Sequence, residues 1–142
     1  MVRIIVAGNR EYSDYEKLKS TLDNCIAYIL RNSDYVASDI EIVEGECRGA
    51  DLLAKRYAEE RGYKVTGFPA KWESEGNAAG PLRNQRMALY ASEEGHAGCL
   101  IAFWNGKSRG TKNMIDCATK KNLKTYICSF KDEMENGNER SK

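Results

Sequence analysis

The chain has 142 residues, enough for one core and too few for two ordinary domains. Its 22 basic and 21 acidic side chains leave a net charge of +1, so the basic excess that grips duplex nucleic acid is absent, although a local basic cleft stays open. No apolar run reaches membrane-spanning length, and the first one, Val2 to Ala7, is too short for a signal peptide and gives way at once to Asn9-Arg10-Glu11; a cytoplasmic protein without membrane contact is expected.

Val2 to Ala7 is β-branched and almost continuously apolar, as a strand covered on both faces of a parallel sheet would be. It ends at Gly8-Asn9-Arg10. Ser13 or Asp14 can cap the next helix, along which Tyr15, Leu18, Leu22, Cys25, Ile26 and Ile29 make one apolar stripe. A polar link, Asn32 to Asp39, leads to a second strand, Ile40 to Val43. The turn Gly45-Glu46-Cys47-Arg48-Gly49-Ala50-Asp51 follows and opens a helix that carries Leu53, Ala54, Tyr57 and Ala58 inward and stops at Gly62.

Tyr63 to Phe68 reads as the third strand, closed by Pro69, and Ala70 to Gly80 lacks a period and reads as a loop of functional length. Pro81 suits a first helical position, starting a helix through Leu82, Met87, Leu89 and Tyr90. Cys99 to Trp104 is the fourth strand, Asn105 to Gly110 a turn, and Thr111 to Lys121 a helix. Thr125 to Phe130 is the last strand. The expected organisation is one Rossmann-like domain over 1–130 and a charged, aperiodic tail over 131–142.

Strands alternating with helices in this way predict an α/β three-layer domain with a mostly parallel five-stranded sheet and helices on both faces. Right-handed crossovers then bring all strand-to-helix loops to one edge of the sheet, where open α/β sheets bind ligands. The turn from Gly45 to Asp51 presents backbone N–H groups and a helix dipole to an anion, with Arg48 between its glycines, and is expected to form one wall of a pocket for a small phosphorylated ligand.

The usual nucleotide signatures do not fit. A dinucleotide fingerprint needs three spaced glycines after the first strand, and only Gly8 is there; Gly106-Lys107-Ser108 imitates the tail of a P-loop, but Ile101 stands where its first glycine belongs. The five cysteines (25, 47, 99, 117, 128) are odd in number, form no Cys-x-x-Cys pair and read as reduced thiols, with Cys47 at a helix start the one to watch for reactivity. A single histidine, His96, leaves no ligand spacing for zinc, and neither metal nor cofactor is expected.

Set together, Gly8-Asn9-Arg10, Gly45-x-x-Arg48-Gly49-Ala50-Asp51, Phe68-Pro69-Ala70-x-Trp72, Ala79-Gly80-Pro81-x-Arg83-Asn84-x-x-Met87 and Phe103-Trp104-x-Gly106-Lys107-Ser108-x-Gly110-Thr111 resemble the SLOG superfamily. That group unites the DNA-processing protein DprA (Smf) with the Lonely Guy phosphoribohydrolases, and the resemblance is strongest to its small bacterial and phage branch related to YspA and YpsA, over about residues 2 to 128. The resemblance implies a Rossmann-like fold that binds nucleotides or NAD-derived molecules such as ADP-ribose, and a homo-oligomer. On that reading Arg48 with the Gly49 and Ala50 amides takes a phosphate, Arg83 gives a planar two-point contact to a second, Asn84 meets a ribose or base edge, and Ser108, Gly110 and Thr111 form another anion-friendly helix start. Trp72 stacks on a base, Gly8, Asn9, Arg10, Gly45 and Gly80 add further ligand contacts, and Asp51 accepts from ribose hydroxyls; the plainer roles are a half-buried lid for Trp72 and a favourable helix-dipole charge for Asp51.

Three departures from the family pattern narrow the expectation. Lonely Guy enzymes carry Pro-Gly-Gly-x-Gly-Thr-x-x-Glu, and here the segment Gly106 to Met114 places methionine at the catalytic acid. Lys71 stands where relatives often have an acid before the tryptophan, and Asn9 where they tend to have serine. The leading expectation is therefore a protein that senses or sequesters a nucleotide-derived small molecule; an N-glycosidic hydrolase using Asp51, Asp116 or Glu46 is the second, and a single-stranded nucleic-acid binder using Trp72, Tyr57 and surface arginines the third.

Overall fold

A computed structural model describes residues 1–131. Five strands alternate with helices: β1 Val2–Gly8, α1 Tyr15–Arg31, β2 Ile40–Glu44, α2 Ala50–Arg61, β3 Lys64–Gly67, α3 Trp72–Glu75, α4 Ala79–Ala91, β4 Ala97–Trp104, α5 Arg109–Lys120 and β5 Lys124–Ser129. The strands lie in the order β3-β2-β1-β4-β5, and every neighbouring pair is parallel. This is the Rossmann-like α/β architecture that the alternation predicts. The charged tail expected beyond the domain falls, from Asp132 on, outside the described residues.

Chain direction fixes the two layers. From β1 the sheet grows first toward β2 and β3, then jumps back across β1 to β4 and β5, so right-handed crossovers put α1 and α2 on one face and α4 and α5 on the other. The first layer packs Leu18, Leu22, Ile26, Ala54 and Tyr57 on Ile4, Val6, Ile42 and Ile101. The second packs Met87, Ala88, Ala91, Met114 and Ala118 on Ile5, Val43 and Leu100. Alternate residues of β1 thus serve opposite cores, which is why its sequence is apolar throughout. Removing a fully buried side chain such as Leu18 would cost ~2–5 kcal/mol.

Local signals place the helix ends. The Asp14 carboxylate accepts the Lys17 amide at 3.1 Å and caps α1, and Ser108 caps α5 by accepting the Thr111 amide at 3.3 Å. One segment departs from expectation. The stretch 70–80, read as a loop, contains the single turn α3 and a 3₁₀ turn at Gly76–Ala78, and α4 starts at Ala79, two residues before Pro81. Pro81 is still within the first turn, where backbone N–H groups have no intrahelical acceptor, so its missing donor costs nothing. The ion pair of Glu75 with Arg86 ties α3 back onto α4, a role for Arg86 within the fold. Leu89 of α4 is exposed.

The reversal of strand order falls between β1 and β4, so their C-terminal ends diverge into loops that run to opposite faces. A crevice at such a switch point is a property of the topology.

Candidate functional site

The crevice is a cleft of about 490 Å³ at the C-terminal ends of β1 and β4. Its volume lies within the ~300–1,000 Å³ usual for small-molecule sites. Three strand-to-helix connections and the helix α4 contribute to it. Gly8, Asn9, Arg10 and Glu11 come from the β1 loop, Cys47 and Asp51 from the β2–α2 turn, Arg83, Asn84 and Met87 from α4, and Asn105, Lys107, Ser108, Gly110, Thr111 and Met114 from the β4–α5 turn and α5. Gly8, Asn9, Arg10, Asp51, Arg83, Asn84, Ser108, Gly110 and Thr111, all singled out in the sequence, therefore meet around one cavity.

The β4–α5 turn builds the side of the cleft best suited to an anion. The Asn105 side-chain oxygen accepts the Lys107 and Ser108 amides at 2.9 and 3.0 Å, fixing the turn, and the Trp104 indole donates to the Ser108 carbonyl at 3.0 Å. Ser108 Oγ then accepts both the amide and the hydroxyl of Thr111. The Arg109 and Gly110 amides, next in the first turn of α5, have no acceptor within the helix and sit at the positive end of its dipole.

The β2–α2 turn is built differently from the anion cradle expected of it. Gly49 has φ of +85°, and a side chain there would lie 2.3 Å from the Asn9 carbonyl oxygen, so only glycine lets the two loops press together. In that contact the Ala50 amide already donates to the Asn9 carbonyl at 3.4 Å, and the Leu52 amide to Cys47. Gly45, Gly49 and Ala50 thus stand behind the cleft wall as support. Arg48 is turned away: its side chain is 72% exposed and pairs with Glu11 at 3.4 Å. The reason is geometric, since packing Gly49 against the β1 loop directs the preceding residue out to solvent. Trp72 also lies outside the cleft, half exposed on α3, where its ring edge covers Gly80.

Arg83 and Asn84 are buried struts. Arg83 donates from Nη1 to the Gly45 carbonyl at 2.5 Å and to the Cys47 sulfur at 3.6 Å, and from Nε to the Asn84 side-chain oxygen at 2.9 Å. Two of its three nitrogens are therefore engaged by the protein, and the planar two-point phosphate contact expected of it is not presented. Asn84 passes the chain of bonds on to Asn113 at 2.9 Å and to the Gly110 carbonyl at 3.4 Å. Together they lock α4 to the β2–α2 turn on one side and to α5 on the other. A side chain at Gly45 would collide with both the Arg83 guanidinium and the Asp51 carboxylate, so this glycine allows an acid and a base to share one buried corner.

That corner is electrostatically unusual. Burial pushes the Asp51 carboxyl up, and the Arg83 charge, the Cys47 and Gly45 amides and Arg10 bring it only part of the way back, to about 6. Glu44, at the end of β2 and 1% exposed, is pushed up by burial to about 7, against the Glu46 amide that it accepts, with the charges of Asp51 and Glu46 adding to the rise. Two neighbouring buried carboxyls thus titrate close to neutrality, a pattern found more at functional sites than elsewhere.

Several residues of the site were missed in the sequence. Met87 and Met114 give the cleft its apolar floor, and Met114 is the residue that stands at the family's glutamate. Asn105 was legible as the residue before a glycine at a strand end, a common turn-former. Glu44 carried no signal at all, because a charged residue at a strand end ordinarily faces solvent. Among the described residues no group of three His, Cys, Asp or Glu side chains is arranged for a metal ion, and no helix is long and apolar enough to cross a membrane.

Comparison with known proteins bears on this geometry. A family model described as the YspA, cpYpsA-related SLOG family (YAcAr) matches residues 2–74, which include the β1 loop, the β2–α2 turn and Trp72. No curated protein matches by sequence. Among solved structures, the fold is similar to DNA processing protein A (DprA) from Streptococcus pneumoniae, with a TM-score of 0.65 at 14% identity over 99% of this chain and 56% of that one. At that identity the likeness is one of fold, and this chain spans little more than half of that protein's length.

Proposed function

The chain belongs to the YspA- and cpYpsA-related SLOG family, and on that premise we propose that its cleft binds a nucleotide or an NAD- or ADP-ribose-derived molecule, which the protein senses or sequesters. Family membership points to nucleotide-related binding. The observation that carries the reading is the start of α5 inside the cleft: the Gly110 amide and the Ser108 hydroxyl, which accepts from Thr111 and keeps its own proton to give, stand beside Arg10 and Lys107, a set of donors and positive charge suited to phosphate. Asp51 faces the same space as an acceptor for ribose hydroxyls, and Met87 and Met114 offer the sugar or base an apolar floor. Calorimetry against AMP, NAD, ADP-ribose and cyclic ADP-ribose tests it. At least one should bind, and Arg10→Ala should weaken it about tenfold, the ~1.4 kcal/mol of a lost exposed ionic contact. A flat response across the panel overturns the reading.

A second reading, an N-glycosidic hydrolase, is favoured by one observation, the buried Asp51 carboxyl poised near 6 beside the cleft. It would stabilise charge developing on the sugar or activate a water for attack on the glycosidic carbon. Release of free base from AMP, NMN or NAD that disappears in Asp51→Asn supports this; binding with the nucleotide left intact after long incubation rejects it. The single-stranded nucleic-acid reading loses a residue it needs, because Tyr57 is buried in the core with its hydroxyl on Asp23 and offers no face to a base.

A further inference from the structure

The two helix layers leave one part of the sheet open. On the α1 side, helices cover β1, β2 and β3, while the flank of β4 and β5 forms a groove of about 790 Å³ that runs along α1 and is lined by Val2, Cys25, Tyr28, Cys99, Lys124 and Tyr126 among others. Tyr28 and Tyr126 are about half exposed along it. Cys25 from α1 and Cys99 from β4 meet in its wall and pack in the same apolar cluster. Neither is in a disulfide. The groove lies at the opposite end of the strands from the nucleotide cleft and shares no lining residue with it.

We propose that Cys25 and Cys99, brought together across the α1–β4 groove, form a thiol pair that a hydroperoxide entering the groove oxidises to an intramolecular disulfide. The pair is asymmetric in the way this chemistry needs. Cys25 is partly exposed, and the neighbouring Cys99 thiol lowers its pKa against the opposing effect of burial. Cys99 is buried, and both the neighbouring Cys25 thiol and its burial raise its pKa. Thiolate character and access together select the attacking sulfur.

In the first step the Cys25 thiolate attacks the terminal oxygen of the hydroperoxide. The O–O bond breaks, a sulfenic acid forms on Cys25, and the leaving oxygen takes a proton to depart as the alcohol, or as water from hydrogen peroxide. In the second step the Cys99 sulfur attacks the Cys25 sulfur. The S–O bond breaks and the S–S bond forms, while hydroxide leaves with the Cys99 proton as a second molecule of product water. Two thiols are oxidised and one peroxide is reduced. The product joins α1 to the central part of the sheet, closing the long loop between residues 25 and 99.

The other cysteines are placed for different ends. Cys117 is buried against Asn113, Cys128 packs with the Tyr12 and Phe130 rings at the far end of the same face, and Cys47 stands in the nucleotide cleft beside Arg83. The pairing of 25 with 99 is therefore a specific prediction among five thiols.

The experiment treats the full chain with hydrogen peroxide, alkylates the remaining thiols and maps the tryptic peptides by mass spectrometry. The expected result is a fall from five free thiols to three, with the peptides carrying Cys25 and Cys99 joined, separated again by dithiothreitol, and the melting temperature raised in the oxidised form. Cys25→Ser, at a partly exposed helix position that tolerates the change, should abolish the link, and Cys47→Ser should leave it intact. Oxidation of Cys25 to sulfinic acid with Cys99 still alkylated, a bridge between any other pair, or five unchanged thiols would each overturn the proposal.

Discussion

The sheet buries acidic groups near both of its ends, and the two ends treat them in opposite ways. Toward the N-terminal ends of the strands, Glu41 is fully buried on β2, where Tyr90 and Thr66 donate hydroxyls to its Oε2 and Arg3 and Lys64 approach Oε1 at 3.5 and 3.6 Å. Burial alone would raise its pKa; the two hydroxyls and the two cations outweigh that and hold it below the ordinary value. Arg3 is in turn held by the Tyr90 carbonyl, Glu93 and the face of the Tyr90 ring. At the C-terminal ends, Asp51 has Arg83, whose donors are engaged elsewhere, and Arg10 nearby, and Glu44 has Lys55; burial outweighs these cations and both carboxyls stay high. The difference separates a finished network from an unfinished one. The first pairs its charges internally and holds elements together, although Arg3 Nε and Glu41 Oε1, 3.5 Å apart, make no hydrogen bond, while the second leaves its buried carboxyls without a matching cation of their own.

The largest expected effect breaks the finished network. Glu41→Ala would leave Arg3 buried with one acidic partner fewer, and removing one member of a buried pair costs ~3–5 kcal/mol. Because Arg3 keeps Glu93 and the Tyr90 carbonyl, about 3 kcal/mol, the low end of that range, is expected in urea unfolding. An effect under about 0.5 kcal/mol, the size of an ordinary surface change, would mean that the network contributes only packing.

The unfinished end should answer in the opposite direction. Asp51 and Glu44 hold protons in the folded chain up to about 6 and about 7, whereas in the unfolded chain they release them near ~3.9 and ~4.3. The folded state therefore binds more protons between roughly pH 4 and 7, and stability falls as pH rises through that window. Below pH ~4 both states are protonated at these two groups and their penalty vanishes, but there Glu41 and Asp23, held low in the fold, begin to lose the stability that their ionised forms contribute. Maximal stability is thus expected on the acid side of neutrality. Glu44→Gln keeps an acceptor for the Glu46 amide and removes the ionisation, so it should stabilise the chain by about 2 kcal/mol at pH 8 and by much less at pH 5. Equal stabilities at both pH values would show that the Glu44 carboxyl ionises freely in the fold.

A smaller effect tests the anion-suited side of the cleft. Ser108→Ala removes the cap of α5 and should cost ~1 kcal/mol of stability. It should also weaken whichever nucleotide binds the native chain, because the Thr111 hydroxyl loses its partner in the first turn. A stability loss with unchanged affinity would move the phosphate away from α5.

These contrasts explain which features the sequence could reveal. The alternation of apolar runs with helical stripes was sufficient for the order of elements and for the edge that carries the loops, since both follow from handedness and period. Gly45 and Gly49 announced a special turn, but glycine signals close approach without saying of what; here the neighbours are Asp51 with Arg83 and the β1 loop, where an anion was expected. Arg83 and Asn84 were legible as special from their spacing, yet their bonds to Gly45, Cys47 and Asn113 join three separate elements and exist only in the fold. Glu41 and Glu44 gave no sign of burial in the sequence, since a charged residue on a strand ordinarily faces solvent. Their burial follows from β2 lying second in the order, between β1 and β3.

The smallest expected effect concerns the residue that the sequence favoured most. Arg48 sits between two glycines at a helix start, the setting in which an arginine reads as a phosphate ligand, but its guanidinium projects to solvent and pairs with an equally exposed Glu11. An exposed pair of this kind contributes little, because each charge is well hydrated apart and two long side chains must be ordered to join. Arg48→Ala should therefore change stability by less than about 0.5 kcal/mol and leave nucleotide affinity as it was. Arg10, in the neighbouring loop and also exposed, lines the cleft and should behave in the opposite way. The pair forms a controlled comparison: both are exposed arginines on loops that touch one another, and only their orientation toward the cleft differs. If titration with the bound nucleotide shows Arg48→Ala losing as much affinity as Arg10→Ala, then the β2–α2 turn swings Arg48 over the ligand on binding, and the cleft has a moving wall.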